Sequence, residues 1–304
     1  MAPVNLNTLS EIQLREFFQS IDNILCDNDG VLSVFGALLP GVLNCINKFR
    51  DAGKRVKIVT NNSAFGSDLL SKIFLKQGLQ CTKDDVITPT CALTNYLKEI
   101  NFNGKVWLMG FENMKAELEE NGFTVAESED PKIITLSEAQ SYITSIDPEI
   151  KAIVMDICLN MTSGCIAKAV DYLKKDPSIL LLFGSTDAAI PIAKDKLVMG
   201  SKYFQDILVQ LTNRTPLVFG KPSENFGKYL VEALNCDPAR TLFIGDSLEQ
   251  DIGFAKQMGF QQLLVMTGIS KMVDVEQCPD AFKPNYYVNS LEELDSLLSK
   301  SAIL

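Results

Sequence analysis

The chain contains no histidine. That removes His-based triads, His general bases and His-ligated metals, so any acid–base work falls to carboxylates, Lys, Tyr or Cys. No Cys-x-x-Cys pair occurs either, and the eight cysteines are scattered, mostly in apolar runs such as those around Cys26, Cys45 and Cys158. They read as small buried hydrophobes of a reducing compartment rather than as a disulfide framework. No uninterrupted apolar run is long enough to cross a bilayer. The N-terminal stretch carries Glu11 and Glu16 and lacks a basic region followed by an apolar core, so it does not read as a signal peptide. Basic charge is in deficit: 28 Lys and Arg face 38 Asp and Glu, a net charge of -10. That argues against nucleic acid or an anionic membrane as partner. The expected location is cytoplasmic, and no internal repeat or low-complexity segment is seen.

What remains is ample apolar material, 46% of 304 residues, enough for one large domain or two ordinary ones. Ser10 followed by Gln13 resembles a capping box opening a short helix with Ile12, Phe17 and Phe18 on its apolar side. The run from Ile24 predicts a buried strand, and a helix over 41–51, a strand over 56–60, a helix over 67–77, a strand at 86–87 and a helix to about 100 follow. Strictly alternating strands and helices imply an α/β fold with a parallel sheet. A polar linker at 101–104 precedes a second alternating series: strands 106–109, 150–155 and 179–183, and helices 112–120, 162–174 and 201–211. This series either continues one sheet or makes a separate α/β domain. The polar segment 213–215 is the expected return point, followed by strands 217–219, 241–244 and 263–265, a helix over 225–234, a helix opened by Asp251, a loop to about 285, a strand near Tyr287 and a helix over 291–298.

The chemistry concentrates at strand ends. Ile24 to Leu32 reads Ile-Leu-Cys-Asp-Asn-Asp-Gly-Val-Leu, an apolar run delivering Asp27 and Asp29 to the carboxyl end of a strand, where α/β sheets hold ligands. Two close carboxylates repel, so a fold keeps such a pair where a metal, a proton or phosphate chemistry uses it. Asn28-Asp29-Gly30 is equally ordinary turn chemistry. An EF-hand starting at Asp27 fails, because Val31 and Leu32 occupy the positions of an oxygen ligand and the required Gly. Three further strand ends carry Thr60 with Asn61 and Asn62, then Lys221, then Asp246 with Asp251 in the following turn. Phosphoryl transfer needs each part of this mix: carboxylates for Mg²⁺, a Lys and a hydroxyl for phosphoryl oxygens, and a nucleophile.

In this order and spacing, Asp-x-Asp-Gly, Thr-Asn-Asn-Ser, Gly-Lys-Pro and Gly-Asp-x-x-x-x-Asp, the chain resembles the haloacid dehalogenase (HAD) superfamily of phosphatases. More narrowly it resembles the 4-nitrophenylphosphatase, phosphoglycolate phosphatase and pyridoxal phosphatase group, which carries a large α/β cap. The resemblance implies a Rossmann-like core made of residues 1–102 and 213–304, with the cap inserted as 103–212. It implies Asp27 as nucleophile, Asp29 as general acid and base, and Lys221 as the cation pairing Asp27 with the phosphate. Thr60, Asn61 and Asn62 would bind the phosphoryl group. Mg²⁺ would be held by Asp27, Asp246 and the backbone carbonyl of Asp29, with Asp251 in support behind them. A small phosphorylated metabolite as substrate and homodimerisation through the cap are also implied. A non-catalytic relative binding a metabolite or partner, and a phospho-accepting signalling domain, are the alternatives.

The sequence departs from this group where Ser247 stands in place of the usual Arg after the metal-binding Asp. The cap segments 155–165 and 183–187 also diverge. Asp156 and Asp187 lie in them, and the expectation is that these carboxylates bias the choice of leaving group.

Overall fold

Asn23–Cys26 is a strand with every residue buried. It is parallel to Thr241–Gly245 on one side and to Arg55–Val59 on the other. A strand covered on both faces favours a continuous apolar run over alternation, and past Asn23 the run Ile24-Leu25-Cys26 is why this strand is readable in the sequence. The computed structural model describes residues 2–126, 133–300 and 303–304. By contacts they form two compact units, the first being Met1–Thr60, Ser67–Ile87 and Lys221–Leu304, the second Asn61–Gly66 and Thr88–Gly220.

The first unit holds a seven-stranded sheet in the order Val4–Asn5, Tyr286–Val288, Gln261–Val265, Thr241–Gly245, Asn23–Cys26, Arg55–Val59, Val86–Ile87. All its neighbouring strands are parallel. From Asn23–Cys26 the chain adds Arg55–Val59 and Val86–Ile87 on one side, and later builds Thr241–Gly245 and Gln261–Val265 on the other. The strand order therefore reverses between Asn23–Cys26 and Thr241–Gly245, and the crevice beyond their carboxyl ends is where such sheets place a ligand. Asp27 and Asp246 are the first residues past those two strands.

The second unit holds five parallel strands in the order Leu217–Val218, Leu180–Phe183, Ile150–Met155, Lys105–Met109, Thr124–Ala126. Trp107, Met155, Tyr172, Phe183 and Leu208 belong to its core, which the helices Ser163–Lys175 and Lys202–Thr212 help to build. Leu217–Val218 pairs with Leu180–Phe183, so the chain leaves this sheet only after Gly220 and not at 213–215. At the other end Pro89–Glu99 packs on Glu112–Glu120, which moves the contact boundary to Thr88 rather than 103. Both shifts come from pairings distant in sequence that local patterning does not carry.

Most elements fall within a residue or two of expectation, and the Ser10–Gln13 capping box opens the helix Glu11–Gln19. Its buried face is Leu14, Phe17 and Phe18, whereas Ile12 is 69% exposed, correcting its assignment to the apolar side. Thr124–Ala126, the helix Leu136–Thr144, the antiparallel pair Ala189–Ala193 and Lys196–Met199, and the helix Met272–Gln277 were not expected. After Asp246 the chain makes a wide helical turn, Leu248–Gly253, before the short helix Phe254–Gln257. No helix among the described residues is long and apolar enough to cross a membrane.

Candidate active site

The backbone N–H of Asp27 donates to Ile244 O at 2.8 Å, so the residue after the strand is still held against its neighbour. The chain then reverses around Asn28, whose carbonyl accepts from Leu32 N and Ser33 N at 2.9 Å each. Its side chain accepts from Ser33 Oγ at 2.8 Å and donates to Asp29 Oδ2 at 3.1 Å. Gly30 has φ +88°, and a Cβ there would stand 2.6 Å from Asp246 Oδ2. Turn chemistry and site chemistry are therefore one object: the Asn-Asp-Gly turn is tight because the Asp246 carboxylate lies against its glycine.

Asp246 extends from Thr241–Gly245 and accepts from Ile269 N at 2.7 Å through Oδ2. Asp251 Oδ2 accepts from Asp246 N at 3.1 Å and Ser247 N at 3.0 Å, so it pins the loop that presents Asp246. Lys221 Nζ donates to Asp27 Oδ1 and to Asp251 Oδ1, both at 2.6 Å. Lys221, Asp246 and Asp251 are each at most 2% exposed, and Asp27 is 7% exposed.

One ammonium cannot neutralise three carboxylates. Burial pushes Asp27 well above the ordinary carboxylate range; Lys221 opposes this and Asp251, Asp246 and Asp29 add to it. Asp246 rises to about 7, from burial first and the Asp251 charge second. For Lys221 burial pulls the other way, but Asp251 and Asp27 outweigh it and hold the ammonium above its usual range. The surplus negative charge is what a hard cation would satisfy. Carboxylate oxygens of Asp27, Asp246 and Asp251 lie within 4.8 Å of one another, with no softer ligand among them. Such an all-oxygen set fits Mg²⁺. Since Asp251 already receives Lys221 and two backbone N–H groups, Asp27 and Asp246 are the better placed ligands.

Of the remaining expected residues, Thr60 is buried at the end of Arg55–Val59, with its N–H on Ile87 O at 3.0 Å. Asp29 is part-buried and stands outside the carboxylate cluster. Asn61 and Asn62 belong to the second unit, where Asn61 O accepts from Ser63 N at 3.0 Å and Asn62 Oδ1 from Ala64 N at 3.2 Å. Asp156 is fully buried within that unit and accepts hydrogen bonds from Ser63, Ile157 and Ser185. Its carboxylate is therefore closed to solvent and engaged through both oxygens. Asp187 is half-buried and accepts from Ser185 Oγ.

Sequence reading missed the strand end at Gln261–Val265. Thr267 Oγ1 donates to Gly30 O at 2.5 Å, Ser270 N to Asp246 O at 3.1 Å, and a Cβ on Gly268 would stand 1.7 Å from Asp246 Oδ2. The signal was available as Thr-Gly-Ile-Ser directly after an apolar strand, the same grammar as the other four ends.

The family model described as haloacid dehalogenase-like hydrolase matches residues 24–124, and a second, HAD-hydrolase-like, matches residues 218–294. The 4-nitrophenylphosphatase of Schizosaccharomyces pombe is 27% identical, the match covering 93% of this chain and 96% of that protein. Phosphoglycolate phosphatase 2 of Arabidopsis thaliana is 27% identical, covering 98% and 99%. Among solved structures, the 4-nitrophenylphosphatase of Thermotoga maritima superposes with a TM-score of 0.77 at 22% identity, covering 92% of this chain and 98% of that one. A glycerol phosphate phosphatase of Mycobacterium tuberculosis, solved in complex with magnesium, gives 0.74 at 22%, covering 91% and 77%. The two family models bracket the carboxylate cluster and its lysine, and the chain belongs to the haloacid dehalogenase-like hydrolases.

Proposed function

We propose that the protein is a Mg²⁺-dependent phosphatase of small phosphomonoesters, phosphoglycolate-like or aryl, working through an aspartyl-phosphate. The observation that carries the reading is the Lys221 ammonium shared between Asp27 and Asp251, with Asp246 alongside, at the switch point of a parallel sheet. The relatives named for 4-nitrophenyl phosphate and phosphoglycolate support the substrate class.

In this mechanism Lys221 fixes Asp27 Oδ1 and with it the plane of the nucleophilic carboxylate. An Asp27 oxygen attacks phosphorus, the new O–P bond forms, and the ester P–O bond breaks as Asp29 gives its proton to the leaving oxygen. Asp29, now a carboxylate, takes a proton from water; that water attacks phosphorus and the bond to Asp27 breaks, releasing phosphate. Thr60, Asn61 and Lys221 hold the phosphoryl oxygens, and Asp251 keeps Lys221 and the Asp246 loop in place. Asp27, Asp246 and the Asp29 carbonyl would hold Mg²⁺, which when bound neutralises charge on the transferring group. The inserted unit acts as the cap that chooses the leaving group, and dimerisation would run through it. Eight free cysteines suit a reducing cytoplasm.

Turnover of 4-nitrophenyl phosphate and phosphoglycolate with Mg²⁺, and its loss on chelation, is the test. A folded protein that binds Mg²⁺ but turns over neither ester would be a fold-sharing binder, and the proposal would fail.

Metal binding is also expected to show in stability. Without the ion, folded Asp246 keeps its proton up to about pH 7, whereas the unfolded group releases it near the ordinary aspartate value of 3.8. Its contribution therefore favours the fold at low pH and is lost as pH rises through 7. Mg²⁺ reverses the loss by pairing with the ionised form. Saturating Mg²⁺ should raise Tm by several degrees at pH 8 and by clearly less at pH 6, where a proton must first be displaced. Equal shifts at the two pH values in a thermal melt would remove Asp246 from the ligand set.

A further inference from the structure

The ends of three adjacent strands of the second unit meet at one buried carboxylate. Asp156 follows Ile150–Met155, Gly184 and Ser185 follow Leu180–Phe183, and Gly220 lies two residues past Leu217–Val218. Asp156 is 0% exposed; Oδ1 accepts from Ser63 Oγ and from Ile157 N at 2.5 Å, Oδ2 from Ser185 N at 3.1 Å. Ser185 is itself held, its carbonyl accepting from Ser201 Oγ at 2.6 Å and Gln205 Nε2 at 2.8 Å. Packing leaves no slack: a Cβ on Gly184 would stand 1.7 Å from Asp156 Oδ2, and one on Gly220 2.7 Å from Gly184 O and 3.1 Å from Asn61 Oδ1.

Two of these neighbours adjoin phosphoryl-handling residues in the chain. Ser63 closes the turn on Asn61, donating its N–H to Asn61 O at 3.0 Å, and Thr60 precedes that turn. Gly220 precedes Lys221. Burial pushes the Asp156 carboxyl up to about 6 against the pull of Ser63, Ile157 and Ser185, with Asp187 adding to the rise. At neutral pH it is thus an ionised acceptor with three donors, fixed from both of its oxygens.

We propose that Asp156 is a positioning residue for phosphoryl binding, setting the Asn61–Asn62–Ser63 turn through Ser63 and backing Gly220 through Gly184, and not a selector of leaving groups. This rests on the phosphatase reading above. A positioning role acts on the phosphoryl group common to every substrate, so it lowers all of them together. A selector acts on their ratio.

Wild type, Ser63→Ala, Ser63→Thr and Asp156→Asn are compared on 4-nitrophenyl phosphate and phosphoglycolate with Mg²⁺, with inorganic phosphate as competitive inhibitor. Ser63→Ala removes one donor and leaves both backbone bonds of the carboxylate intact, so the fold should hold. Its kcat/KM is expected to fall about tenfold on both esters, the scale of one hydrogen bond to a charged group. The Ki of phosphate should rise by a similar factor while the substrate ratio stays constant. Ser63→Thr keeps the hydroxyl and should recover most of the loss. Asp156→Asn should fall further, because an amide facing backbone N–H groups on both sides can accept from only one of them. Unchanged kcat/KM and Ki in Ser63→Ala overturn the proposal, and so does an altered substrate ratio with unchanged Ki. If wild type turns over neither ester the phosphatase reading fails, and the Kd of inorganic phosphate for wild type against Ser63→Ala still decides the positioning role.

Discussion

Replacing Asp27 by Asn is expected to abolish turnover of 4-nitrophenyl phosphate, a loss of at least about 10⁴-fold in kcat, the scale on which removal of an essential nucleophile is felt. The amide keeps the shape of the carboxylate, and its oxygen can still accept from Lys221, which now donates to Oδ1 at 2.6 Å. What it would lose, on the proposed mechanism, is the negatively charged oxygen that attacks phosphorus and one of the charges that would hold the ion. The fold should not suffer. Folded Asp27 retains a proton well above the range of the unfolded group, so its ionised form weakens the metal-free protein at neutral pH, and the neutral amide removes that penalty. Tm in a chelator is therefore expected to equal or exceed that of wild type, while the rise on adding Mg²⁺ shrinks. Activity within about tenfold of wild type in this well-folded variant would sink the aspartyl-phosphate mechanism.

The parts of this site that were readable in the sequence are those where one residue type has few other reasons to occur. Buried parallel strands read as nearly continuous apolar runs, here 24–26 and 242–244 after one polar residue each, so an abrupt carboxylate after Cys26 or Gly245 marks both the strand end and the crevice. Thr60 and Lys221 were legible by the same contrast. Face and pairing were not. The capping box at Ser10 places the start of its helix, but which residues are buried depends on what packs against it, and Leu14 took the place expected for Ile12. Two-residue strands such as Val4–Asn5 have no period to detect, and Leu217–Val218 gave no sign of belonging with Leu180–Phe183. Asp156 was visible only as an acid in a divergent segment. Its meaning comes from donors at Ser63 and Ser185, each far away in the chain, and from a glycine whose missing Cβ makes the space.

Lys221→Met should lower kcat by about 10²-fold or more, as expected on removing a preorganised charge that stabilises the transferring phosphoryl group. Methionine keeps the length and apolar stem of the side chain, which matters where Lys221 is 2% exposed with its Nζ 5.3 Å from the Phe243 ring centroid. The lost ammonium leaves Asp27, Asp251 and Asp246 facing one another without a cation. Breaking a buried pair typically costs about 3–5 kcal/mol. Here part of that cost is relieved, because crowded carboxylates retain protons and because Mg²⁺ can supply positive charge. The variant is therefore expected to melt well below wild type in a chelator and to recover part of the difference in Mg²⁺. Kinetics measured in saturating Mg²⁺, on protein shown to be folded by circular dichroism, separate the two effects. Lys221→Arg should not restore the rate: a planar guanidinium is too large for the point between two Oδ1 atoms that the ammonium reaches at 2.6 Å each. A folded Lys221→Met enzyme within about threefold of wild type would reduce Lys221 to a counter-charge for Asp27 and Asp251, and the phosphoryl oxygens would then have to be neutralised by Thr60, Asn61 and the metal alone.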